Sequence, residues 1–109
     1  TEGTLKTEIY DKIFKKDYVL IKPLSNLQTS SVNKTIKHVK MGNIKLAEKT
    51  IKPAIKYLIK QKCKKIILGC TEIPIAIFAY KSLQNAKVSK LYLDPNLILA
   101  NSCMAKYKK

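Results

Sequence analysis

The sequence contains no arginine; all 22 basic residues are lysine. Proteins that read nucleic-acid bases usually keep some arginine, because the planar guanidinium grips guanine edges and phosphates through paired hydrogen bonds. The net charge of +15 is therefore read as lysines on solvated helix faces. It predicts only weak, salt-sensitive attraction to nucleic acid with no sequence preference. Histidine is nearly absent too, with His38 alone and far in sequence from any cysteine, and no C-x-x-C occurs. Neither pattern suits a zinc site, so no metal is expected. Cys63, Cys70 and Cys103 make an odd number, which argues against a disulfide framework and fits a reducing compartment. Lysines interrupt every apolar run before the ~18 residues that a membrane span needs. The opening Thr1-Glu2-Gly3-Thr4 lacks the plan of a signal peptide, so a cytoplasmic protein is expected. There is no internal repeat, linker or low-complexity tract. With 46% hydrophobic residues, residues 1–109 are long enough to bury the core of one domain.

Apolar spacing alternates between helical and strand periods. Leu5, Ile9 and Ile13, with Tyr10 and Phe14, predict a helix over 5–16. Tyr18-Val19-Leu20-Ile21 reads as a short buried strand that stops near Pro23. Val32, Ile36 and Val39 share one face of a helix over 29–41, which Gly42-Asn43 ends. The longest helical pattern runs from Ile44 to about Gln61, and Pro53 inside it should kink it or divide it. Residues 65–69 read as a buried strand leading into Cys70-Thr71-Glu72, followed by a short helix over 74–83. Leu91-Tyr92-Leu93 reads as a last strand. Asp94-Pro95 then starts a closing helix expected to bury Leu97, Ile98, Met104 and Tyr107. This alternation implies an α/β fold, a parallel sheet flanked by helices. Such domains normally open with a strand, whereas this chain opens on a loop entering a helix, so a preceding segment is expected.

Ligands in parallel sheets gather beyond the carboxyl ends of the strands, and Cys70 is predicted at one such end. Backbone N–H groups at a helix start favour a thiolate, so this place suits a reactive cysteine titrating below its ordinary value. Cys70 would otherwise be a small buried hydrophobe, the ordinary state of a free cysteine. Thr71 and Glu72, directly after it, are unusual neighbours for a purely structural residue.

Leu68-Gly69-Cys70-Thr71-Glu72 resembles the second-cysteine motif of the aspartate/glutamate racemase superfamily. Thr1-Glu2-Gly3-Thr4 followed by Tyr10 resembles that family's T-x-G-T loop and its helix. Lys40-Met41-Gly42-Asn43 resembles its K-x-G-N segment, and Lys90 to Pro95 matches its late strand ending in Asp-Pro. The four matches occur in order and span nearly the whole chain. Glu72 stands where glutamate racemases typically carry histidine, which points to the aspartate or broad-specificity branch.

The resemblance implies one half of a two-domain racemase, with residues 1–109 as the C-terminal α/β domain and the N-terminal domain missing. It implies two-base proton transfer by two cysteines, one per domain, without pyridoxal phosphate or any other cofactor. Cys70 would be the second cysteine. Thr71, with Thr1 and Thr4, would hold a carboxylate of the amino-acid substrate. Lys40 would supply positive charge, and Glu72 would orient its neighbours or contact the substrate ammonium. The family's first cysteine has no counterpart here, since Cys63 precedes the strand and Cys103 lies in the last helix; both are expected to be structural, and His38 a solvated helix residue. A homodimer would bring two Cys70 thiols together, although the family's domain pairing does not suggest it. Hydantoin racemisation, maleate isomerisation and malonate decarboxylation occur in related members. A non-catalytic remnant that binds a small acid or a partner protein is the alternative.

Overall fold

The computed structural model describes residues 1–14, 17–79 and 86–107. Helices α1 (Glu2–Thr7) and α2 (Ile9–Phe14) come first, followed by an irregular segment. Next are α3 (Ser25–Leu27), a π-helical turn (Gln28–Asn33), α4 (Lys34–Lys40) and the long α5 (Ile44–Lys60). Strand β1 (Ile66–Ile67), α6 (Glu72–Phe78), α7 (Ala86–Ser89), β2 (Tyr92–Leu93) and α8 (Pro95–Tyr107) complete the order. The strands pair in parallel, Ile66 with Tyr92 and Ile67 with Leu93. The fold is α/β, helix-rich, with a small parallel sheet flanked by helices.

Local chemistry explains most boundaries. The Gly42 N–H donates to the Val39 carbonyl, the Asn43 N–H donates to His38, and Gly42 takes φ 79°. That is a Schellman ending, which needs a left-handed residue and finds glycine there. Asn43 then caps α5 by accepting from the Leu46 N–H at 3.3 Å. The core gathers Ile51, Ala54 and Ile55 of α5, Ile66 and Leu68 around β1, and Ile73 and Ile77 of α6.

Four expectations are corrected. The single helix predicted over 5–16 is divided at Glu8, which takes φ 52° and ends α1 before α2 begins. Helix α5 runs undivided through Pro53, because the buried Ser31 hydroxyl donates to the Thr50 carbonyl at 2.6 Å and accepts from the Ala54 N–H at 3.2 Å. Among the described residues Tyr18-Val19-Leu20-Ile21 pairs with no strand, and Val19 is 90% exposed; its apolar character alone does not supply a neighbour. Leu97, Ile98 and Met104 are exposed on α8. Leu97, Ile98 and Leu99 are consecutive, so they point around the helix and cannot share one face. The burial of Tyr107, the residues Lys15 and Lys16 of the first predicted helix, and the end of the predicted 74–83 helix lie outside the described residues. Among the described residues, no helix is long and apolar enough to cross a membrane.

Candidate active site

Strand β1 ends in a tight turn in which the Cys70 N–H donates to the Leu68 carbonyl at 2.9 Å. The turn delivers the half-buried Cys70 to the start of α6, where Sγ accepts from the Ile73 N–H at 3.4 Å. Thr71, at the capping position, makes no side-chain cap. The cysteine sulfur therefore meets a backbone donor that a hydroxyl usually takes. Burial pushes the Cys70 thiol above its ordinary value; the N–H groups of Ile73 and Glu72 pull it down, and the Glu72 carboxylate pushes it further up. The expected lowering of this thiol is thus corrected: desolvation of a thiolate outweighs the donors of one short helix start.

Glu72 is the charged centre of the site. Partial burial raises its carboxyl, but its own N–H, the Thr71 hydroxyl, the Lys40 ammonium and the Cys70 thiol together hold it below the ordinary carboxylate value. Lys40 reaches it because α4 packs on α6, with Nζ 4.0 Å from Glu72 Oε1. An ionised carboxylate thus stands beside the thiol and, with burial, favours its protonated form.

A cavity of about 120 Å³ opens beside Cys70, lined by Tyr10, Gly69, Thr71, Pro95 and Asn96. It lies beyond the carboxyl ends of both strands, the usual ligand position in a parallel sheet. A larger, mostly apolar cavity of about 750 Å³ runs from Thr1, Thr4 and Cys70 toward Ile51 and Ile55. The family model described as Asp/Glu/Hydantoin racemase matches residues 1–103.

The chain belongs to the Asp/Glu/hydantoin racemase family. It matches no curated protein and no solved structure. Racemase-type chemistry is the function that this membership supports. In this racemase-family chain, Cys70, Thr71, Glu72 and Lys40 come together in one cluster. Thr1 and Thr4 line the larger cavity with Cys70 but are not a free loop. Thr1 caps α1, its Oγ1 accepting from the Thr4 N–H at 3.1 Å and lying 2.8 Å from Thr4 Oγ1. Cys63 packs against the core, His38 is half-buried, and Cys103 is exposed rather than packed. Among the described residues, no group of three His, Cys, Asp or Glu side chains is placed to hold a metal. Asn96 was not visible as a site residue from its own neighbours. The rule that pointed to Cys70 after β1, applied equally to the end of β2, would have found it.

Proposed function

We propose that this chain supplies one half of a cofactor-independent racemase site for aspartate or glutamate, with Cys70 as one of two proton-transferring thiols. The observation that carries the reading is the placing of Cys70 between the end of β1 and the start of α6, its sulfur on the Ile73 N–H, in the wall of a small cavity and next to the Glu72–Lys40 pair. Burial favours the protonated thiol, so Cys70 is the acid of the resting site. It gives its proton to one face of the planar carbanion, while a thiolate on the opposite face has removed the α-proton. In the reverse direction Cys70, as thiolate, is the base and Glu72 steadies the returning proton. Thr1, Thr4 and Thr71 hold the substrate carboxylate through hydroxyl and backbone N–H donors. Lys40 balances the charge that gathers when a dicarboxylate arrives beside Glu72.

The opposite thiol belongs to a partner, the N-terminal racemase domain, and residues 1–109 are the C-terminal domain of the pair. Inversion needs an acid and a base on opposite faces, so the chain alone should not racemise aspartate or glutamate at a useful rate. The experiment compares circular-dichroism turnover by this chain alone and together with an N-terminal racemase domain. Turnover only in the pair supports the reading. Strong turnover by the chain alone, without self-association, would defeat the division of labour, and none in either would leave the chain as a non-catalytic binder of small acids.

A further inference from the structure

The parallel register pairs Ile66 with Tyr92. Beyond the paired residues β1 runs into the turn at Cys70, and β2 runs into the first turn of α8 at Asn96. The small cavity joins the two, because both residues line it, with Tyr10 across from them over Gly69. The Asn96 backbone N–H is already used, donating to Asp94 Oδ1 at 3.0 Å. Its carboxamide has no hydrogen-bond partner among the described residues.

We infer that Asn96 is a specificity-determining residue, its carboxamide N–H₂ donating to the side-chain carboxylate of a dicarboxylic amino acid whose α-carbon faces Cys70. The inference rests on the racemase-site reading and deepens it. A substrate of this class carries two carboxylates, and the threonine hydroxyls and Lys40 account for one. The second needs a neutral donor, because Glu72 already fills the site with negative charge. A carboxamide donates without drawing a proton from Cys70 or altering its charge, and it sits in the first turn of α8, after β2, whereas the thiol follows β1. Side-chain choice is thereby separated from proton transfer: the turn after β1 delivers the acid and the start of α8 delivers the selecting group.

The test is protection of Cys70 from iodoacetamide at alkaline pH, mapped by mass spectrometry, with L-aspartate and L-asparagine as probes. In the unaltered chain, aspartate should slow Cys70 labelling more than asparagine, leaving Cys103 unaffected. Asn96→Ala should raise the half-protecting aspartate concentration about tenfold, the worth of one hydrogen bond to a charged group. Asn96→Asp should invert the preference, since its carboxylate repels aspartate and accepts from the asparagine amide. A structural defect would weaken both probes together, so the inversion is the discriminating readout. Equal protection by aspartate in the unaltered and Asn96→Asp chains overturns the inference and leaves the racemase site standing. Failure of either amino acid to protect Cys70 in the unaltered chain overturns that site and the inference with it.

Discussion

The Ser31 hydroxyl is inserted into helix α5, where it accepts from the Ala54 N–H at 3.2 Å and donates to the Thr50 carbonyl at 2.6 Å. Thr50 and Ala54 are one helical turn apart and flank Pro53, whose ring removes a backbone donor and crowds the preceding turn. Ser31 comes from the π-helical turn and is 1% exposed. A polar side chain from another element thus satisfies the helix where proline weakens it. It also ties α5 to the element that continues into α4, and α4 carries Lys40 to Glu72.

Ser31→Ala should therefore destabilise the chain by about 1–3 kcal/mol, because it strands buried polar groups rather than simply removing a bond. Urea denaturation should show a lower midpoint with an unchanged slope. A midpoint equal to that of the unaltered chain would mean that α5 closes its own ladder across Pro53.

The raised Cys70 thiol makes a prediction of opposite sign from that of an activated cysteine. At neutral pH iodoacetamide should label the exposed Cys103 faster than the half-buried Cys70, and Cys70 should catch up as pH rises. Because the folded-state value is raised, the stability linked to this group is fully present below the ordinary thiol range. It is lost as pH rises through the folded value. Cys70→Ser should remove that alkaline loss. Fastest labelling at Cys70 at neutral pH would show the helix-start donors winning over burial.

Lys40→Ala separates electrostatics from stability. Lys40 is 67% exposed at its side chain, so its removal should change stability at neutral pH by less than about 1 kcal/mol. Glu72 should nonetheless titrate closer to the ordinary carboxylate value, followed by carbon NMR of its carboxyl. The lowered Glu72 contributes stability that is present above the ordinary carboxylate range and lost as pH falls through the folded value. In Lys40→Ala this acid loss should begin in the same pH range, be complete at higher pH and be smaller in total. An unmoved Glu72 titration would mean that Thr71 and the backbone alone hold the carboxylate.

What was readable in the sequence follows the range of the interactions responsible. β1 and β2 fell within their predicted runs, and Gly42-Asn43 marked the end of α4, because short-range apolar pattern and turn chemistry set them. Cys70, Thr71, Glu72 and Lys40 were legible through motifs, and the structure gathers them. The continuity of α5 was not legible, since Ser31 lies far in sequence from Ala54 and nothing near Pro53 announces it. Tyr18-Val19-Leu20-Ile21 has strand composition, but a strand exists only with a paired edge. The direction of the Cys70 shift depends on burial, which is a property of packing. Asn96 follows the end of β2 and was open to the same strand-end rule that found Cys70, and the cavity they share makes it a candidate.

The last prediction concerns Cys70→Ser in a racemase assembled from this chain and an N-terminal domain. Two-base inversion requires that each thiol serve one face of the carbanion, one taking a proton while the other gives one. Serine nearly preserves the shape of cysteine, so the fold should survive, but its hydroxyl is far too weak an acid and base to replace the thiol at neutral pH. The partner thiolate can still remove the α-proton of the enantiomer that faces it. With no donor on the Cys70 side, the carbanion recovers a hydrogen from the same partner thiol after exchange with solvent. Racemisation measured by circular dichroism should therefore fall by at least the ~10²-fold that one positioned acid–base group contributes. Deuterium from solvent should still enter one enantiomer without inversion, and not the other. Near-normal racemisation by Cys70→Ser would remove Cys70 from the chemistry. Loss of exchange from both enantiomers would instead show that Cys70 is needed to bind or orient the substrate before any proton moves.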